Sequence, residues 1–447
     1  MTSKLLITNG QIFTLGKANA QLSNGAIYCE GDTIVEVGET AALSAKYPGT
    51  ERLDAGGKVV LPGMLCGHTH FYGLFSRGMA IPGAPATNFT EILERLWWKL
   101  DLALLDEDVR YSALVCLVDA VKHGCTTLID HHASPSAIDG SLDIIAGAVK
   151  QAGVRASLCY EVTDRNGMDG ARAGIEENVR WLKRCRAAKD PQLAGSFGFH
   201  AALTLSDKTL EDSAAAAQGL DTGFHIHVAE GVADQEHSLR KHNMRVVERL
   251  QRFGILGPKT IAVHCVHLDA FEKDILRETE TLVTHQPRSN MNNAVGLPDV
   301  TGMLARGIPV ALGNDGFSNF MVDEMKAAYL AHKHNSGDPR TMGGDVVFRM
   351  QYPNNANLCR QFFPKPVGAI EPGAFADITI WDYQPPTPMN TGNLPWHILF
   401  GVDGAAVTHT IASGKVLMKD RQLTMLDEAA IMARARELAP QIWKRVG

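Results

Sequence analysis

Apolar residues follow two different patterns along the chain, and these separate a middle part from the two ends. Residues 4–58 alternate in the manner of short strands and turns, with a hairpin turn at Gly31-Asp32. The same style returns over residues 376–418, and an alanine- and arginine-rich helical pattern covers 427–446. A small β-rich unit assembled from both ends of the chain would explain why the two ends resemble each other.

In the middle, apolar β runs alternate with amphipathic helical patterns such as those at 109–123 and 244–253. The eight predicted β runs are 59–70, 126–132, 154–162, 193–204, 223–230, 260–268, 281–289 and 309–316. Alternation of this kind predicts an α/β fold with a parallel sheet, and eight units over about 260 residues favour a closed barrel. We therefore expect a (β/α)8 TIM-like barrel over 59–364, with a β-sandwich-like composite domain formed by 1–58 and 365–447.

A long insertion, residues 71–105, follows the first predicted β run. Its six aromatic residues are Phe71, Tyr72, Phe75, Phe89, Trp97 and Trp98. Two interpretations are open for these rings. They form a lid over the mouth of the barrel, or they form an aromatic cluster that packs a helix against the core.

Composition and charge exclude several classes of protein. The 447 residues are 45% hydrophobic, which suffices for one large core with a satellite domain. The net charge of −6 is spread without blocks, which argues against a nucleic-acid partner and a polybasic membrane anchor. We see neither a bilayer-spanning run nor a signal peptide, and the eight scattered cysteines contain no C-x-x-C. A reduced, cytoplasmic protein is expected.

Polar residues fall at the ends of the predicted β runs, where barrel enzymes place their chemistry. His68 and His70 end the first run, and alternate residues of a strand point to the same face. Two adjacent imidazoles form a clamp for a borderline metal such as zinc, although a His-x-His pair alone is a weak signal. Polar residues at the ends of the other runs strengthen it: His131, His132, His200, His227, Glu230, His264, Ser289, Asn290 and Asp315.

These motifs resemble the amidohydrolase superfamily, in its cytosine-deaminase and chlorohydrolase-like (ATZ/TRZ) branch. The segments that carry the resemblance occur in family order along nearly the whole chain. They are Pro62-Gly63-Met64 with His68-Thr69-His70, Gly124-Cys125-Thr126-Thr127, His227-Val228-Ala229-Glu230, Val263-His264-Cys265-Val266-His267-Leu268, Ser289-Asn290, Leu312-Gly313-Asn314-Asp315-Gly316 and Pro372-Gly373-Ala374-Phe375-Ala376-Asp377.

The resemblance implies one divalent metal ion, zinc first with iron as the alternative, bound by His68, His70, His227 and Asp315. Three imidazoles and one carboxylate with an open position suit a hydrolytic zinc ion. Binuclear members of the superfamily use a carboxylated lysine on the fourth strand. The fourth predicted run, 193–204, contains no lysine, so one metal is favoured over two.

The resemblance also implies three catalytic residues. Glu230 would shuttle a proton to the ring nitrogen beside the attacked carbon, His264 would orient the water, and Asp315 would accept its proton. Five further residues are candidates for substrate binding: Arg77, His132, His200, Arg288 and Asn290. A loop-anchoring role stays open for Arg77, Arg288 and Asn290, and either His131 or His132 is expected to point into the mouth.

The function predicted from these residues is metal-dependent hydrolytic deamination of an amidine-type C–N bond in a purine, pyrimidine or related N-heterocycle. One alternative uses the same metal centre to hydrolyse a cyclic amide, or to release a halide or alkylamine from a triazine-like ring. Another is a metal-binding scaffold without turnover, which is disfavoured because Glu230, His264 and Asp315 are all present. The expected partner is a small heterocyclic substrate, and analogy with the branch suggests a homodimer.

Overall fold

In the computed structural model, which describes residues 3–81 and 83–447, eighteen strands form three sheets. The strands are β1 (Lys4–Phe13), β2 (Gln21–Glu30), β3 (Thr33–Glu39), β4 (Glu51–Asp54), β5 (Val59–Pro62), β6 (Met64–Thr69), β7 (Cys125–Asp130), β8 (Arg155–Leu158), β9 (Leu193–Gly195), β10 (Phe197–Ala201), β11 (Phe224–Val228), β12 (Ile261–His264), β13 (Leu282–His285), β14 (Val310–Leu312), β15 (Ile378–Trp381), β16 (Val407–Ala412), β17 (Lys415–Lys419) and β18 (Gln422–Leu423).

Helices follow most of the middle strands, as the amphipathic patterns predict. The α-helices are α1 (Thr40–Lys46), α2 (Phe89–Ile92), α3 (Trp98–Ala103), α4 (Asp106–Lys122), α5 (Ser141–Ala152), α6 (Gly167–Ala188), α7 (Asp207–Ala217), α8 (Val232–His242), α9 (Val246–Arg252), α10 (Ala270–Glu278), α11 (Pro287–Asn292), α12 (Val300–Ala305), α13 (Met321–Ser336), α14 (Gly344–Arg349), α15 (Asn355–Cys359), α16 (Leu394–Gly401) and α17 (Glu428–Val446). Within the described ranges, none of these helices combines the length and apolar character needed to cross a membrane.

Two of the sheets close into a barrel with eight parallel strand positions, which we call staves. One sheet has the order β6-β7-β8-β9 and the other β10-β11-β12-β13-β14. Ser196 alone separates β9 from β10, and these two strands together make the fourth stave. A parallel bridge between Thr69 and Asp315 joins the first stave to the last. The predicted (β/α)8 barrel is confirmed.

The third sheet unites the two ends of the chain. It has nine strands, β1 to β5 from the beginning and β15 to β18 from the end. The junction is the antiparallel pairing of β5 with β15, where Pro62 lies opposite Ile378. The predicted composite β domain is therefore confirmed, and the hairpin turn at Gly31-Asp32 joins β2 to β3.

Apolar side chains are buried in both parts of the molecule. The largest buried cluster packs barrel strands against their helices and includes Leu117 of α4 and Leu128 of β7. A smaller cluster, with Ile27 and Ile378, lies within the composite sheet. Each fully buried side chain of this size stabilises the fold by about 1.5–3 kcal/mol relative to exposure.

The first predicted β run is divided between the two domains. Residues 59–62 belong to the composite sheet as β5, and the barrel begins with β6 at Met64 rather than at residue 59. Gly63 separates the two strands, and a Cβ atom there would lie 2.1 Å from Thr126 Oγ1, so only glycine fits. Both strands are fully buried, and an uninterrupted apolar run therefore carries no signal for the change of sheet.

The aromatic residues of the insertion over 71–105 lie partly in the core and partly at a cavity, and a lid function for the insertion stays a prediction. The insertion contains a 3-10 helix (Phe71–Ser76), then α2, a π-helical turn (Leu93–Trp97) and α3. Phe71 and Phe75 are buried in the main core. Other aromatic residues of the insertion line a cavity above the carboxyl ends of the barrel strands.

Candidate active site

The four predicted metal ligands meet at the carboxyl ends of the barrel strands. His70 Nε2 lies 3.1 Å from His227 Nε2 and 3.1 Å from Asp315 Oδ1. His68 Nε2 is also 3.1 Å from Asp315 Oδ1. Residues from the first, fifth and eighth staves therefore converge on one point, as parallel strands in a barrel permit.

Hydrogen bonds on the far side of the rings set the direction of the ligand nitrogens. His70 Nδ1 donates to the carbonyl of His131 at 2.6 Å, and His227 Nδ1 donates to the carbonyl of His200 at 2.7 Å. Both Nε2 atoms are thus left with lone pairs aimed at the same place, and two such nitrogens 3.1 Å apart require a shared cation. The donor set fits a divalent metal such as zinc.

A proton can take the cation's place when the metal is removed. Burial lowers the pKa of His70, but the hydrogen bond and charge of Asp315 outweigh burial and raise this pKa to about 9. Metal binding must therefore displace a proton, as is usual for histidine ligands. The second oxygen of Asp315 accepts a 2.5 Å hydrogen bond from Ser289 Oγ, which fixes the plane of the carboxylate.

Glu230 faces the same cluster because the chain turns sharply after β11. Ala229 has the left-handed φ of 47°, and its N–H donates to Asp234 Oδ2 at 2.9 Å. This turn brings Glu230 Oε2 to 3.4 Å from His264 Nε2. Burial, together with the negative charge of Asp315, raises the pKa of Glu230 well above its usual value. A carboxyl group in this environment is suited to donate a proton.

His264 is held by the seventh βα segment. Its Nδ1 donates to Asn290 Oδ1 at 2.8 Å, and its backbone φ is 68°. Nε2 is buried and has no hydrogen-bond partner within residues 3–81 and 83–447. The ring therefore presents a free nitrogen next to Glu230, where a reacting atom would gain a hydrogen bond.

The cluster forms one side of a cavity of about 670 Å³, counting the space at its open mouth. The lining residues are His70, Tyr72, Gly73, Phe89, Leu93, Trp97, His200, Ala201, Leu203, His227, Glu230, Gly231, Asp234, Asn293, Asp315 and Gly316. The insertion contributes an aromatic wall opposite the carboxylates, and lysine and arginine are absent from the described lining.

Of the five predicted substrate-binding residues, His200 is the one that lines this cavity. Its Nδ1 bonds to Thr204 Oγ1 at 2.9 Å. Asn290 is fully buried and contacts His264, so it positions a catalytic candidate instead of facing the cavity. His132 is also buried, and its Nε2 bonds to Ser134 Oγ at 2.8 Å.

The two predicted arginines lie outside the cavity. Arg77 is exposed after the 3-10 helix of the insertion. Arg288 bonds to Glu324 Oε1 at 2.6 Å and to the carbonyl of Ser318 at 2.7 Å, so it anchors the loop after β14. The structure therefore brings neither guanidinium group to the cluster, and the loop-anchoring interpretation holds for Arg288.

Several residues of the site were not singled out from the sequence. Asp234, buried at the start of α8, holds the Ala229 turn, and Asn293 Nδ2 lies 3.4 Å from Glu230 Oε1. Asp234 lies in the first helical turn after a strand ends, and this position could have identified it from the sequence as a residue of the site. Leu203 and Gly231 have no distinguishing pattern, because they reach the cavity only through loop geometry.

The barrel and its converging histidines, aspartate and glutamate define a metal-dependent hydrolase. A family model described as "Amidohydrolase family" matches residues 59–417, and the chain belongs to this family. A model of the imidazolonepropionase-like composite domain of bacteria matches residues 25–49, within the composite β domain.

Curated relatives match the whole length of the chain. It is 31% identical over 442 residues to the 5'-deoxyadenosine deaminase of Methanothermobacter thermautotrophicus, covering 98% of both chains. It is 29% identical over 447 residues to the 5-methylthioadenosine/S-adenosylhomocysteine deaminase of Pelotomaculum thermopropionicum, covering 99% of this chain and 100% of the relative. The prediction of a hydrolase of the aminohydrolase class is confirmed.

Solved structures share the fold at lower identity. An adenosine deaminase from Xanthomonas campestris with bound zinc has a TM-score of 0.86 and 23% identity, with 99% of both chains covered. The atrazine chlorohydrolase TrzN from Arthrobacter aurescens TC1, complexed with zinc, has a TM-score of 0.83 and 19% identity, with 98% and 100% covered. The composite domain and barrel therefore occur together in both of these proteins.

Proposed function

We propose that this protein is a hydrolytic deaminase that removes the amino group from an amidine-type carbon of an aminated N-heterocycle, with the adenine ring of a nucleoside as the first candidate. The observation that carries this proposal is the place of Glu230, buried on the wall of the cavity beside His264 and Asp315. Deamination needs a proton at the ring nitrogen and at the leaving nitrogen, and a buried acid at this place can supply it. The deaminase relatives support the same reaction.

The ion that we propose is zinc, with iron as the alternative, held by His68, His70, His227 and Asp315, whose ligand atoms contact one another. When bound, such an ion would lower the pKa of a water molecule towards neutrality and so would supply the nucleophile. Asp315 is placed to accept the water's proton, since Ser289 holds its other oxygen.

The remaining proton transfers fall to Glu230 and His264. Glu230 donates to the ring nitrogen beside the attacked carbon and then passes a proton towards the departing ammonia. Asn293 contacts its Oε1 at 3.4 Å and restrains the carboxyl group. His264 Nε2 carries a lone pair because Nδ1 donates to Asn290, so it accepts a hydrogen bond from the attacking water and orients it.

The cavity favours an uncharged aromatic substrate. Tyr72, Phe89 and Trp97 line the cavity and offer rings against which a heterocycle can stack. An anionic substituent would find no lysine or arginine in the described lining. We therefore propose a nucleoside or free base and not a nucleotide.

Within the branch, a finer resemblance is to the aminohydrolase SsnA. The residues that carry it are His70-Phe71-Tyr72, Ser76-Arg77-Gly78, Leu96-Trp97-Trp98, Asp130-His131-His132-Ala133-Ser134-Pro135, Thr163-Asp164-Arg165-Asn166 and Arg288-Ser289-Asn290-Met291-Asn292-Asn293. The relatives named above do not include SsnA. The substrate panel should therefore extend beyond adenine nucleosides to other aminated purines and pyrimidines.

The test is ammonia release by the zinc-loaded protein over a panel of aminated heterocycles, with chlorinated triazines and cyclic amides included. We expect ammonia from at least one uncharged amino-heterocycle and none from the corresponding 5'-phosphates. Release of chloride or of a new carboxylate instead would select the alternative hydrolases. Purified protein that does not bind zinc would contradict the proposal. Zinc-loaded protein that reacts with no member of the panel would contradict it as well.

Two properties of the whole protein are also proposed. All eight cysteines lie in the described part of the chain and are free thiols, which suits a reducing compartment such as the cytoplasm. A homodimer is proposed by analogy with the branch, and light scattering on purified protein would measure the oligomeric state.

A further inference from the structure

The buried carboxyl group of Glu161 lies behind His70, one of the proposed metal ligands, and has no role in the reaction proposed above. Glu161 follows β8, and its N–H donates to the carbonyl of His132 at 2.7 Å. This bond fixes the backbone, while the side chain points into the protein and is fully buried. Neither oxygen has a hydrogen-bond partner in the described part of the chain. Buried carboxylates in proteins are normally paired or hydrogen-bonded, so this one requires an explanation.

The nearest polar groups identify what the carboxyl group faces. Glu161 Oε1 is 3.3 Å from His70 Nδ1 and 3.5 Å from His131 Nδ1. His70 already donates its Nδ1 proton to the carbonyl of His131, and His131 Nδ1 is itself without a partner. The carboxyl group therefore touches the outer edge of a proposed metal ligand and of the histidine next to it.

The charge of the proposed metal site explains why the carboxyl group of Glu161 is buried there. A divalent ion held by three neutral imidazoles and the Asp315 carboxylate would leave one excess positive charge in a buried site for as long as its water keeps both protons. Glu230 cannot neutralise it while it carries the proton needed for catalysis. Glu161 is the next carboxyl group in contact with a ligand, and its own burial is unfavourable unless a positive charge lies nearby.

We propose that Glu161 is a positioning residue of the metal centre: its carboxylate lies 3.3 Å from the outer nitrogen of His70 and balances the charge of the bound cation from behind the ligand ring. Carboxylate–histidine–metal arrangements of this kind orient the ligand ring and increase its basicity. The inference rests on the metal-dependent function proposed above. If the inference is correct, Glu161 contributes to the affinity for the metal, although this residue does not line the cavity.

The test compares the wild type with Glu161→Gln, which keeps the size of the side chain and removes its charge. Competition with a chelator, starting from zinc-loaded protein, should show an affinity for zinc about 10–100-fold weaker in the variant. Glu161→Asp, which keeps the charge, should fall between the two. Glu177→Gln is the matched control, because Glu177 is equally buried but pairs with Arg180 on α6. Its affinity for zinc should equal that of the wild type.

Thermal unfolding supplies a second readout that a purely structural role would not produce. In zinc-loaded protein, Glu161→Gln should lower Tm, because the bound ion loses its balancing charge. In protein stripped of metal, the same change should lower Tm by less, because the proton that His70 then carries gives Glu161 a smaller positive charge to balance than the divalent ion does. A purely structural role would lower Tm equally in both forms and would overturn the inference.

Metal stoichiometry separates the remaining outcomes. Glu161 also lies with His200 and His227 in a group whose ligand atoms are within 4.8 Å of one another. We expect one zinc ion per chain in both wild type and Glu161→Gln. A fall from two ions to one would make Glu161 a ligand of a second cation and would overturn the positioning role. Wild-type protein that binds no metal would instead contradict the proposed function itself, and unchanged affinity in the variant would contradict only the inference about Glu161.

Discussion

Three residues of the site hold backbone angles of the left-handed region, which side chains with a Cβ seldom adopt. Their φ values are 47° at Ala229, 68° at His264 and 59° at Asp315. Each lies where a barrel strand ends, and each turn directs a functional side chain towards the cluster. Backbone strain of this kind is found at sites where the surrounding structure holds it in place.

The turn at Ala229 yields a prediction about Glu230. Ala229→Val should lower both Tm and kcat, because a β-branched residue is strained at a φ of 47° and the buried site has no room for it. The wild-type alanine already carries the strain of a Cβ in this region, about 1–2 kcal/mol, and the branched side chain of valine adds to it. Ala229→Gly removes the Cβ and is expected to retain full ammonia release. Equal activity of the valine variant would show that the turn does not position Glu230.

The contact between Asn290 and His264 yields a second prediction at this scale. Asn290→Leu removes the acceptor of the His264 Nδ1 proton, so the ring loses its fixed orientation. We expect kcat to fall about 10–100-fold, with zinc content unchanged, because Asn290 does not touch the metal ligands. Met291→Ala, at an exposed neighbouring position, is the control and should behave as the wild type. Loss of zinc from the Asn290 variant would place the residue in a different role.

At the scale of elements, some aromatic residues of the insertion over 71–105 pack in the core and others line the cavity. Trp443 Nε1 of α17 donates to the carbonyl of Phe75 at 2.8 Å, which ties the insertion to the C-terminal helix. The ring of Phe89 lies against Gly231, where an added Cβ would approach the ring to 2.9 Å. The insertion is thus anchored to α17 on one side and contacts Gly231 at the cavity on the other.

Removal of one ring from this wall should affect substrate binding before chemistry. Trp97→Ala is expected to raise KM about 10-fold, equivalent to about 1.4 kcal/mol, and to change kcat much less. The physical reason is that Trp97 faces the cavity but touches none of the proposed catalytic groups. Trp396→Ala, on the exposed face of α16, is the control for loss of a tryptophan. A large fall in kcat with unchanged KM would contradict the proposed stacking role.

At the scale of the whole molecule, a buried ion pair joins the barrel to the composite domain. Arg155 of β8 pairs with Asp377, just before β15, and both side chains are almost completely buried. The guanidinium also donates to Ser413 Oγ at 2.8 Å and lies 3.6 Å from the centre of the Phe375 ring. Each charge therefore depends on its partner for compensation.

Breaking this pair should destabilise the fold without altering the site. Asp377→Ala leaves Arg155 buried and unpaired, and we expect a loss of about 3–5 kcal/mol in the free energy of unfolding, measured with denaturant. Arg340→Ala, which breaks an exposed ion pair with Asp338, is the control and should leave stability unchanged. Zinc content of the folded Asp377 variant should match that of the wild type. A small change in stability would show that the two domains do not depend on this pair.

The sequence by itself determined the barrel, the composite domain and the residues at the centre of the site. Alternation of β and helical patterns is a local property, and the motifs at the strand ends follow the chain in family order, so both can be recognised without coordinates. Gly63 marks the limit of this approach, because two buried strands on either side of it have the same apolar character and yet belong to different sheets.

Only the tertiary structure decided which polar residues face the cavity and which support it. Arg288 and Asn290 follow a strand end, as the proposed ligands do. Arg288, however, pairs with Glu324 of α13, and Asn290 accepts a hydrogen bond from His264 of another strand. Glu161 and Asp234 acquire their places only when segments distant in sequence pack together. The physical reason is that strand alternation fixes the face on which a side chain lies, whereas its partner depends on loops and neighbouring staves that no local pattern describes.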